Sequence, residues 1–262
     1  MNVRAALVTG GARRIGKAMA LGLAKRGAAV AVHFSSSSGE AAATVALIRD
    51  AGGHSVPVKA DLLDEDACRG LVAHAAEGLG QPLDVLINNA SIFENDSIET
   101  ATADSWNRHM MSNLRAPFVL MQEFALQAPK ADQDPFGELH PKAAVINMVD
   151  QRVRKPTPEF MTYTLAKMGL WNLTRIGAAA LAPDIRVNAI GPGPTVRAER
   201  QSEKHFRSQR SATPLRRGAS RDEIVAAMNF LLDSPSVTGQ LICPDGGQHL
   251  AWQTPDILMR RA

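Results

Sequence analysis

The chain has 262 residues, of which 45% are hydrophobic and 21% charged, with a formal net charge of +3. These values are ordinary for a globular protein, and the length suits one large α/β domain. No apolar run reaches the ~18 residues of a membrane helix, and we expect no signal peptide and no membrane association. The basic residues are scattered, which argues against nucleic-acid binding. Cys68 and Cys243 are too few for a disulfide framework or a metal site, so we expect no metal and a reducing, cytoplasmic location.

Strand-like and helix-like segments alternate along the chain. Strands are predicted at residues 5–8, 28–33, 55–59, 83–87, 143–148, 185–189 and 240–243. Helices are predicted at residues 17–25, 39–51, 64–78, 103–127, 159–181 and 221–232. This alternation predicts a single α/β domain over residues 1–262, with a Rossmann-type doubly wound parallel sheet and helices on both faces. Residues 128–142 are predicted to form a surface insertion, and residues 191–214 a long irregular stretch, with a substrate loop at about 192–214.

The first predicted strand leads into a glycine-containing turn and then a helix. The turn runs from Thr9 to Gly16 and reads Thr-Gly-Gly-Ala-Arg-Arg-Ile-Gly. Gly10 permits a tight turn, and Gly16 permits close packing of the helix on the strand. The free N–H groups and the positive dipole end of the helix favour a pyrophosphate. Strand, turn and helix in this order predict a dinucleotide-binding site.

A tyrosine and a lysine, Tyr163 and Lys167, lie one helical turn apart. Side chains at this spacing share a helix face, and the ammonium group is expected to lower the pKa of the phenol from its usual ~10. Such a phenol is a usable acid near neutral pH. Asp150 precedes the tyrosine, and an ionised carboxylate there would repel the oxyanion of ketone reduction, which argues against a simple ketone or alcohol substrate. The alternatives for Asp150 are a non-catalytic cap or a salt bridge to Arg152.

Seven elements, in order along nearly the whole chain, resemble the short-chain dehydrogenase/reductase family. They are the Thr9–Gly16 turn, Asp61-Leu62, Asn88-Asn89-Ala90 followed by Ser91 in place of a glycine, Asn113, the Tyr163 and Lys167 pair, Gly191-Pro192-Gly193, and Asp245-Gly246-Gly247. The resemblance implies that Tyr163 is the general acid and that Lys167 also holds the nicotinamide ribose. It implies that Asn113 fixes a water linking Lys167 to solvent, although a helix-bend residue is an open alternative. It further implies a homotetramer, with the tail at residues 250–262 docking on a neighbouring subunit.

Two departures from the common family pattern are similar to one branch, the pteridine reductases. Arg14 stands in place of the middle glycine of the turn, and Asp150 stands in place of a serine. Phe93 lies where that branch stacks an aromatic ring on the pterin; core packing is the alternative. Arg14 is expected to contact cofactor phosphate or the substrate ring, the alternative being a solvated arginine. The resemblance implies hydride transfer to a ring carbon and proton delivery to the neighbouring nitrogen through Tyr163 and Asp150.

The end of the second strand indicates the cofactor. NAD preference usually needs an acid there, but no acid follows His33-Phe34-Ser35-Ser36-Ser37 until Glu40. Arg13 and Arg14 of the adjacent turn, together with hydrogen-bond donors at the strand end, suit a 2′-phosphate, so we predict NADPH. Ser36 departs from the branch, where an arginine would hold this phosphate. The predicted cofactor-binding residues are Gly10, Arg13, Arg14, Ile15, Gly16, His33, Phe34, Ser35, Ser36, Asp61, Leu62, Asn89, Ala90, Tyr163, Lys167, Pro192, Gly193 and Thr195.

Three functions remain open from the sequence. The first is NADPH-dependent reduction of a dihydropterin or dihydrofolate-like ring, with a small-molecule pteridine bound by Arg14, Ser91, Phe93, Asp150 and Tyr163. The second is reduction of a carbonyl substrate such as a 3-oxoacyl thioester. The third is a non-catalytic NADP-binding sensor or partner subunit, against which the intact tyrosine and lysine count. His109, like five other histidines, shows no ligand spacing and is interpreted as a surface or core residue.

Overall fold

Short apolar strands build a parallel sheet in the computed structural model, which describes residues 1–198 and 201–252. The strands in chain order are β1 (Ala5–Val8), β2 (Ala29–Phe34), β3 (Ser55–Lys59), β4 (Val85–Asn88), β5 (Asp132–Gln133), β6 (Leu139–His140), β7 (Ala143–Met148), β8 (Ile185–Ile190) and β9 (Leu241–Ile242). The α-helices are α1 (Arg14–Lys25), α2 (Ser38–Asp50), α3 (Glu65–Leu79), α4 (Ala103–Met110), α5 (Ala116–Gln127), α6 (Met161–Leu181), α7 (Glu203–Ser211) and α8 (Arg221–Asp233).

The order of the strands places a crevice in the middle of the sheet. The order is β3-β2-β1-β4-β7-β8-β9, and every neighbouring pair is parallel. The chain starts at the centre with β1, runs outward to β3, and then returns to β4 on the other side of β1. Ligands bind at such a switch point, beyond the carboxyl ends of the strands. The predicted doubly wound fold is confirmed.

Alternate residues of each central strand face two different cores. On one face, Ala6 and Val8 of β1 pack with α1, α2 and α8. On the other face, Ala5 and Leu7 pack with α3, α5 and α6. Because successive side chains of a strand point to opposite faces, a strand buried on both sides must be apolar throughout, as β1 is.

The helix predicted over residues 103–127 is divided. α4 ends at Met110, a single π-helical turn spans Met111–Arg115, and α5 begins at Ala116. Pro117 lacks the N–H that would bond the carbonyl of Asn113 in a continuous α-helix, so the ladder of hydrogen bonds is broken there. The π turn places Asn113 at the bend, which was the alternative interpretation of this residue.

The stretch predicted to be irregular, residues 191–214, contains α7. Ser202 caps this helix by accepting a hydrogen bond from the backbone N–H of His205. None of the described residues of α7 is buried. The helix therefore lacks the apolar periodicity from which a helix is predicted. The predicted insertion at 128–142 contains the small hairpin of β5 and β6. Of the tail predicted to dock on a neighbouring subunit, residues 253–262 lie outside the described residues.

Across the described residues, 1–198 and 201–252, none of the helices has the length and apolar character needed to cross a membrane.

We predict that Gly16→Ala destabilises the protein because a Cβ at this position would lie 2.2 Å from the carbonyl oxygen of Gly10 and 2.5 Å from Nδ2 of Asn89. The expected loss in the free energy of unfolding is about 1–3 kcal/mol, as for overpacking elsewhere. Gly39→Ala is the matched control, because Gly39 lies in α2 and its Cβ would meet nothing within 4 Å. Urea unfolding of both variants checks this, and equal stabilities would contradict it.

Candidate active site

An open cleft of about 1540 Å³ lies beyond the carboxyl ends of the central strands. It exceeds the ~300–1,000 Å³ of a typical ligand pocket, so a dinucleotide and a second small molecule fit together. Apart from Asn113, the residues predicted to bind cofactor or substrate, or to take part in proton transfer, all line this cleft. They are Gly10, Arg13, Arg14, Ile15, Gly16, His33, Phe34, Ser35, Ser36, Asp61, Leu62, Asn89, Ala90, Ser91, Phe93, Asp150, Tyr163, Lys167, Pro192, Gly193 and Thr195.

The turn after β1 is tied to the end of β4. The Thr9 hydroxyl oxygen accepts hydrogen bonds from the backbone N–H groups of Asn89 at 2.8 Å and Ala90 at 3.0 Å. Asn89 Nδ2 donates to the Thr9 carbonyl at 2.9 Å. Gly10 has a φ of 61°, which a residue with a side chain rarely adopts. These three hydrogen bonds hold the turn against the end of β4 before α1 begins.

His33 supports this turn with a ring that is almost fully buried. Its Nδ1 accepts a hydrogen bond from the Gly10 backbone N–H at 3.0 Å, and its Nε2 lies 3.2 Å from the Ala60 carbonyl oxygen. Since Nδ1 is the acceptor, Nε2 carries the proton and donates it to Ala60. Burial lowers the pKa of His33 to about 4, so the ring is neutral. The prediction that His33 donates a hydrogen bond to a 2′-phosphate was wrong, because both ring nitrogens are engaged.

Arg14 joins the glycine turn to the loop after β8. Its two terminal guanidinium nitrogens donate to the carbonyl oxygens of Arg197 at 2.9 Å and Val196 at 3.1 Å. Its backbone has a φ of 56°, an unusual value for a residue with a side chain. The sequence predicted a ligand contact for Arg14, and the structure adds a contact with the predicted substrate loop.

The phenol of Tyr163 and the carboxyl group of Asp150 are hydrogen-bonded. Tyr163 Oη donates to Asp150 Oδ2 at 3.0 Å, and the backbone N–H of Arg152 donates to Asp150 Oδ1 at 2.9 Å. Asp150 follows shortly after the end of β7 at Met148, and Tyr163 lies in the first turn of α6, so a strand and a helix bring the two acids together. Through this contact Asp150 caps the 3₁₀ turn Gln151–Val153, so the cap that was one alternative is present beside the hydrogen bond from Tyr163.

Both acids of this pair hold their protons more tightly than usual. Burial, followed by the charge of Asp150, raises the pKa of Tyr163 well above its usual value. Burial also raises the pKa of Asp150, although the backbone N–H of Arg152 and nearby cations oppose this. The sequence predicted a phenol whose pKa is lowered by lysine. The structure shows the opposite direction, because burial and the neighbouring carboxylate dominate.

Lys167 lies one turn along α6 from Tyr163 and is buried. Its Nζ donates to the Met148 carbonyl oxygen at 2.8 Å and lies 5.8 Å from the centroid of the Tyr163 ring. Burial lowers the pKa of Lys167 to about 8, with Asp150 acting in the other direction. Lys167 therefore supplies a positive charge beneath the acid pair at neutral pH.

Asn113, in the π turn, lies behind the cleft and holds its wall. Its Oδ1 accepts a hydrogen bond from the Ile92 backbone N–H at 3.0 Å, and its Nδ2 donates to the Ile92 carbonyl at 2.9 Å. This paired contact with one peptide segment was not part of the prediction, which assigned Asn113 to a water near Lys167.

Phe93 faces the cleft and stacks on a second aromatic ring. It is 41% exposed, which is against the core-packing alternative. Its ring lies parallel to Phe160 with centroids 4.4 Å apart, and meets the Tyr163 ring edge-on at 4.7 Å. The sequence did not single out Phe160, because the helix was predicted to begin at Glu159. It begins at Met161, and Phe160 adopts a left-handed conformation with a φ of 56°.

Comparison with known proteins establishes the family. A family model described as enoyl-(acyl carrier protein) reductase matches residues 10–249. An uncharacterized oxidoreductase of Methylorubrum extorquens is 34% identical, over 93% of this chain and 97% of its own. The 3-oxoacyl-[acyl-carrier-protein] reductase FabG of Staphylococcus aureus is 29% identical, over 94% of this chain and 98% of its own. The chain belongs to the short-chain dehydrogenase/reductase family, as the sequence motifs predicted.

A solved structure is similar over nearly the full length. The crystal structure of FolM alternative dihydrofolate reductase 1 from Brucella canis, complexed with NADP, has a TM-score of 0.89 and 44% sequence identity. The match covers 97% of this chain and 97% of that chain.

We predict that His33 makes the fold sensitive to acid. Between pH ~6.5 and pH 4 the unfolded chain binds a proton that the folded protein, with its His33 pKa of about 4, does not. The contribution of His33 is complete above pH ~6.5 and is lost as the pH falls, by about 2 kcal/mol at pH 5. His33→Asn retains an acceptor for Gly10 but does not titrate, so urea unfolding at pH 7 and pH 5 should show a smaller loss for this variant. Equal losses would contradict the assignment.

Proposed function

We propose that this protein reduces a ring C=N bond of a pteridine, converting a dihydropterin or dihydrofolate-like compound to its tetrahydro form with NADPH. The observation that carries the proposal is the hydrogen bond from Tyr163 to Asp150 in a cleft lined by the exposed ring of Phe93. A serine at position 150 would suit a ketone, whereas a carboxyl group suits delivery of a proton to nitrogen. The similarity to a FolM alternative dihydrofolate reductase supports the same substrate class.

The residues of the cleft fit NADPH. Gly10 and Gly16 let the turn pack closely against Asn89 and Ala90, where a Cβ would meet protein atoms. The first turn of α1 then offers its free N–H groups to a pyrophosphate. Ser35 and Ser36 line the cleft at the end of β2, and Arg13 lines it from the adjacent turn. These groups suit a 2′-phosphate, and no acid lies at this strand end to prefer a free ribose hydroxyl. The NADP in the similar FolM structure supports this choice.

The chain's own residues account for binding and for the proton. NADPH supplies a hydride to the ring carbon when bound. Phe93 offers an aromatic face on which a flat heterocycle stacks. Tyr163, whose raised pKa keeps its phenol protonated, donates the proton to the ring nitrogen, and Asp150, also with a raised pKa, replaces that proton through the hydrogen bond between them. Lys167 stabilises the negative charge that passes through the pair.

A carbonyl reductase is the second candidate. FabG relatives reduce a 3-oxoacyl group, which is a carbonyl substrate, according to their name. Asp150 weighs against this reaction, because it stands in place of the serine whose hydroxyl would donate a hydrogen bond to the oxygen of a ketone.

We further propose that the protein assembles as a homotetramer. Large apolar side chains are exposed on two neighbouring helices, Phe118 on α5 and Leu165 and Ile176 on α6. A surface of this kind is typical of a contact between subunits. Multi-angle light scattering tests the proposal, and a monomeric mass would contradict it.

We expect NADPH oxidation with a dihydropterin or dihydrofolate and little turnover of an acetoacetyl thioester. The measurement compares dihydrobiopterin, dihydromonapterin, dihydrofolate and the thioester side by side, each with NADPH and with NADH. Turnover of the thioester alone would favour the carbonyl reductase. A preference for NADH would contradict the cofactor assignment and leave the substrate assignment standing.

We predict that Asp150→Asn lowers pteridine turnover about 10²–10⁴-fold, the range for loss of a general acid. In the wild type, kcat falls as the pH rises through the raised pKa of Asp150, because the carboxyl group loses the proton it supplies. The variant lacks this limb of the pH profile. Asp150→Ser is the matched control, because it restores the hydroxyl common in the family and should improve turnover of the thioester relative to the pteridine. An unchanged profile in Asp150→Asn would contradict the proposed role.

A further inference from the structure

Three buried polar side chains beside the acid pair belong to none of the roles above. They are Asp96, which is 4% exposed, His109, which is 0% exposed, and Thr162, which is 2% exposed. Asp96 follows β4, His109 lies in the last turn of α4, and Thr162 lies in the first turn of α6, next to Tyr163. Burial of polar side chains is costly unless they are hydrogen-bonded.

The hydrogen bonds among them run in one direction. The Glu94 backbone N–H donates to His109 Nε2 at 3.2 Å, so Nε2 is the unprotonated nitrogen. His109 Nδ1 therefore carries the proton and donates to Thr162 Oγ1, 2.7 Å away. The hydroxyl of Thr162 in turn donates to Asp96 Oδ2. Asp96 also accepts from the Thr162 backbone N–H at 3.0 Å and from the Ser105 hydroxyl at 3.0 Å.

The charge states of His109 and Asp96, the two ends of this chain of hydrogen bonds, agree with its direction. Burial lowers the pKa of His109, against the opposing charges of Asp96 and Glu94, so the ring is neutral. Burial opposes ionisation of Asp96, but the hydrogen bonds from Thr162 and Ser105 outweigh it and lower the pKa of Asp96. A neutral imidazole and an ionised carboxylate are the states that the chain of hydrogen bonds requires.

This chain of hydrogen bonds links the two walls of the substrate site. Asn113 holds the backbone of Ile92, and His109, one helical turn earlier, holds the backbone of Glu94. Phe93 lies between these two anchored residues. At the other end, Thr162 adjoins Tyr163, whose ring meets the His109 ring edge-on with centroids 6.0 Å apart.

We propose that Asp96, His109 and Thr162 are positioning residues that fix the ring of Phe93 relative to the phenol of Tyr163. The flat ring of the substrate is then held within reach of the proton donor. The inference rests on the proposed pteridine reduction, in which Phe93 binds the substrate and Tyr163 protonates it. Misplacement of either group is expected to weaken substrate binding more than cofactor binding.

Thr162→Val removes the central hydroxyl but keeps the shape of the side chain, and Thr162→Ser keeps the hydroxyl. We expect the valine variant to raise KM for the pteridine about tenfold, the effect of a buried donor that loses its acceptor, with Kd for NADPH within about twofold of wild type. The serine variant should restore KM to within about threefold of wild type. Equal KM values for the valine variant and wild type would overturn the proposal.

A double-mutant cycle separates positioning from general stability. In a Phe93→Ala background the ring to be positioned is gone, so Thr162→Val should add less than about twofold to KM. A merely structural role would give the same fold-change in both backgrounds, and that result would overturn the proposal.

Two measurements without substrate keep the inference separate from the proposed function. The ¹⁵N NMR spectrum of the wild type should show His109 with a protonated Nδ1 and an unprotonated Nε2. Hydrogen exchange at the Glu94 amide should be faster in Thr162→Val than in Thr162→Ser. The reverse tautomer of His109, or equal exchange rates in the two variants, would overturn the chain of hydrogen bonds. If both results are as expected but the wild type reduces no pteridine, only the proposed function is overturned.

Discussion

The hydrogen bond between Tyr163 and Asp150 is the contact on which the site depends. Burial raises the pKa of both groups, and the charge of Asp150 raises the pKa of Tyr163 further, whereas the hydrogen bond from Tyr163 acts to lower the pKa of Asp150. The fold supports this arrangement, because β7 and α6 pack on each other and Lys167 is anchored to the Met148 carbonyl. The rest of the cleft supplies what such a pair needs, which is a flat ring-binding surface and a place for a hydride donor.

The fold was predictable from the sequence because its signals are local. The alternation of apolar strands and helices indicated the parallel sheet, and the Thr9–Gly16 turn marked its central crevice. The predicted site residues also gather in one cleft, since residues that follow parallel strands meet at the same sheet edge. The direction of the Tyr163 pKa was not predictable in this way. It depends on how deeply the phenol is buried, which spacing along a helix does not reveal.

Contacts between distant segments were beyond the sequence. His33 looked like a ligand-binding residue, but its ring is buried under Gly10. His109 looked idle, yet it is bonded to Glu94 and Thr162, residues that are far apart in the chain. Phe160 was missed because the helix was predicted to begin at Glu159, whereas the left-handed backbone of Phe160 places the start of α6 at Met161. In each case the role is set by tertiary neighbours and not by residue type.

The chain contains one tyrosine, so ¹³C-tyrosine labelling reports on Tyr163 alone. An NMR pH titration of the ring carbon that bears the hydroxyl tests the acid pair most directly. The account predicts that this signal responds above the usual carboxyl pKa of ~4, as Asp150 ionises, and that the phenol stays protonated up to pH ~10. A phenolate at neutral pH, or a signal that ignores ionisation of a carboxyl group, would contradict it.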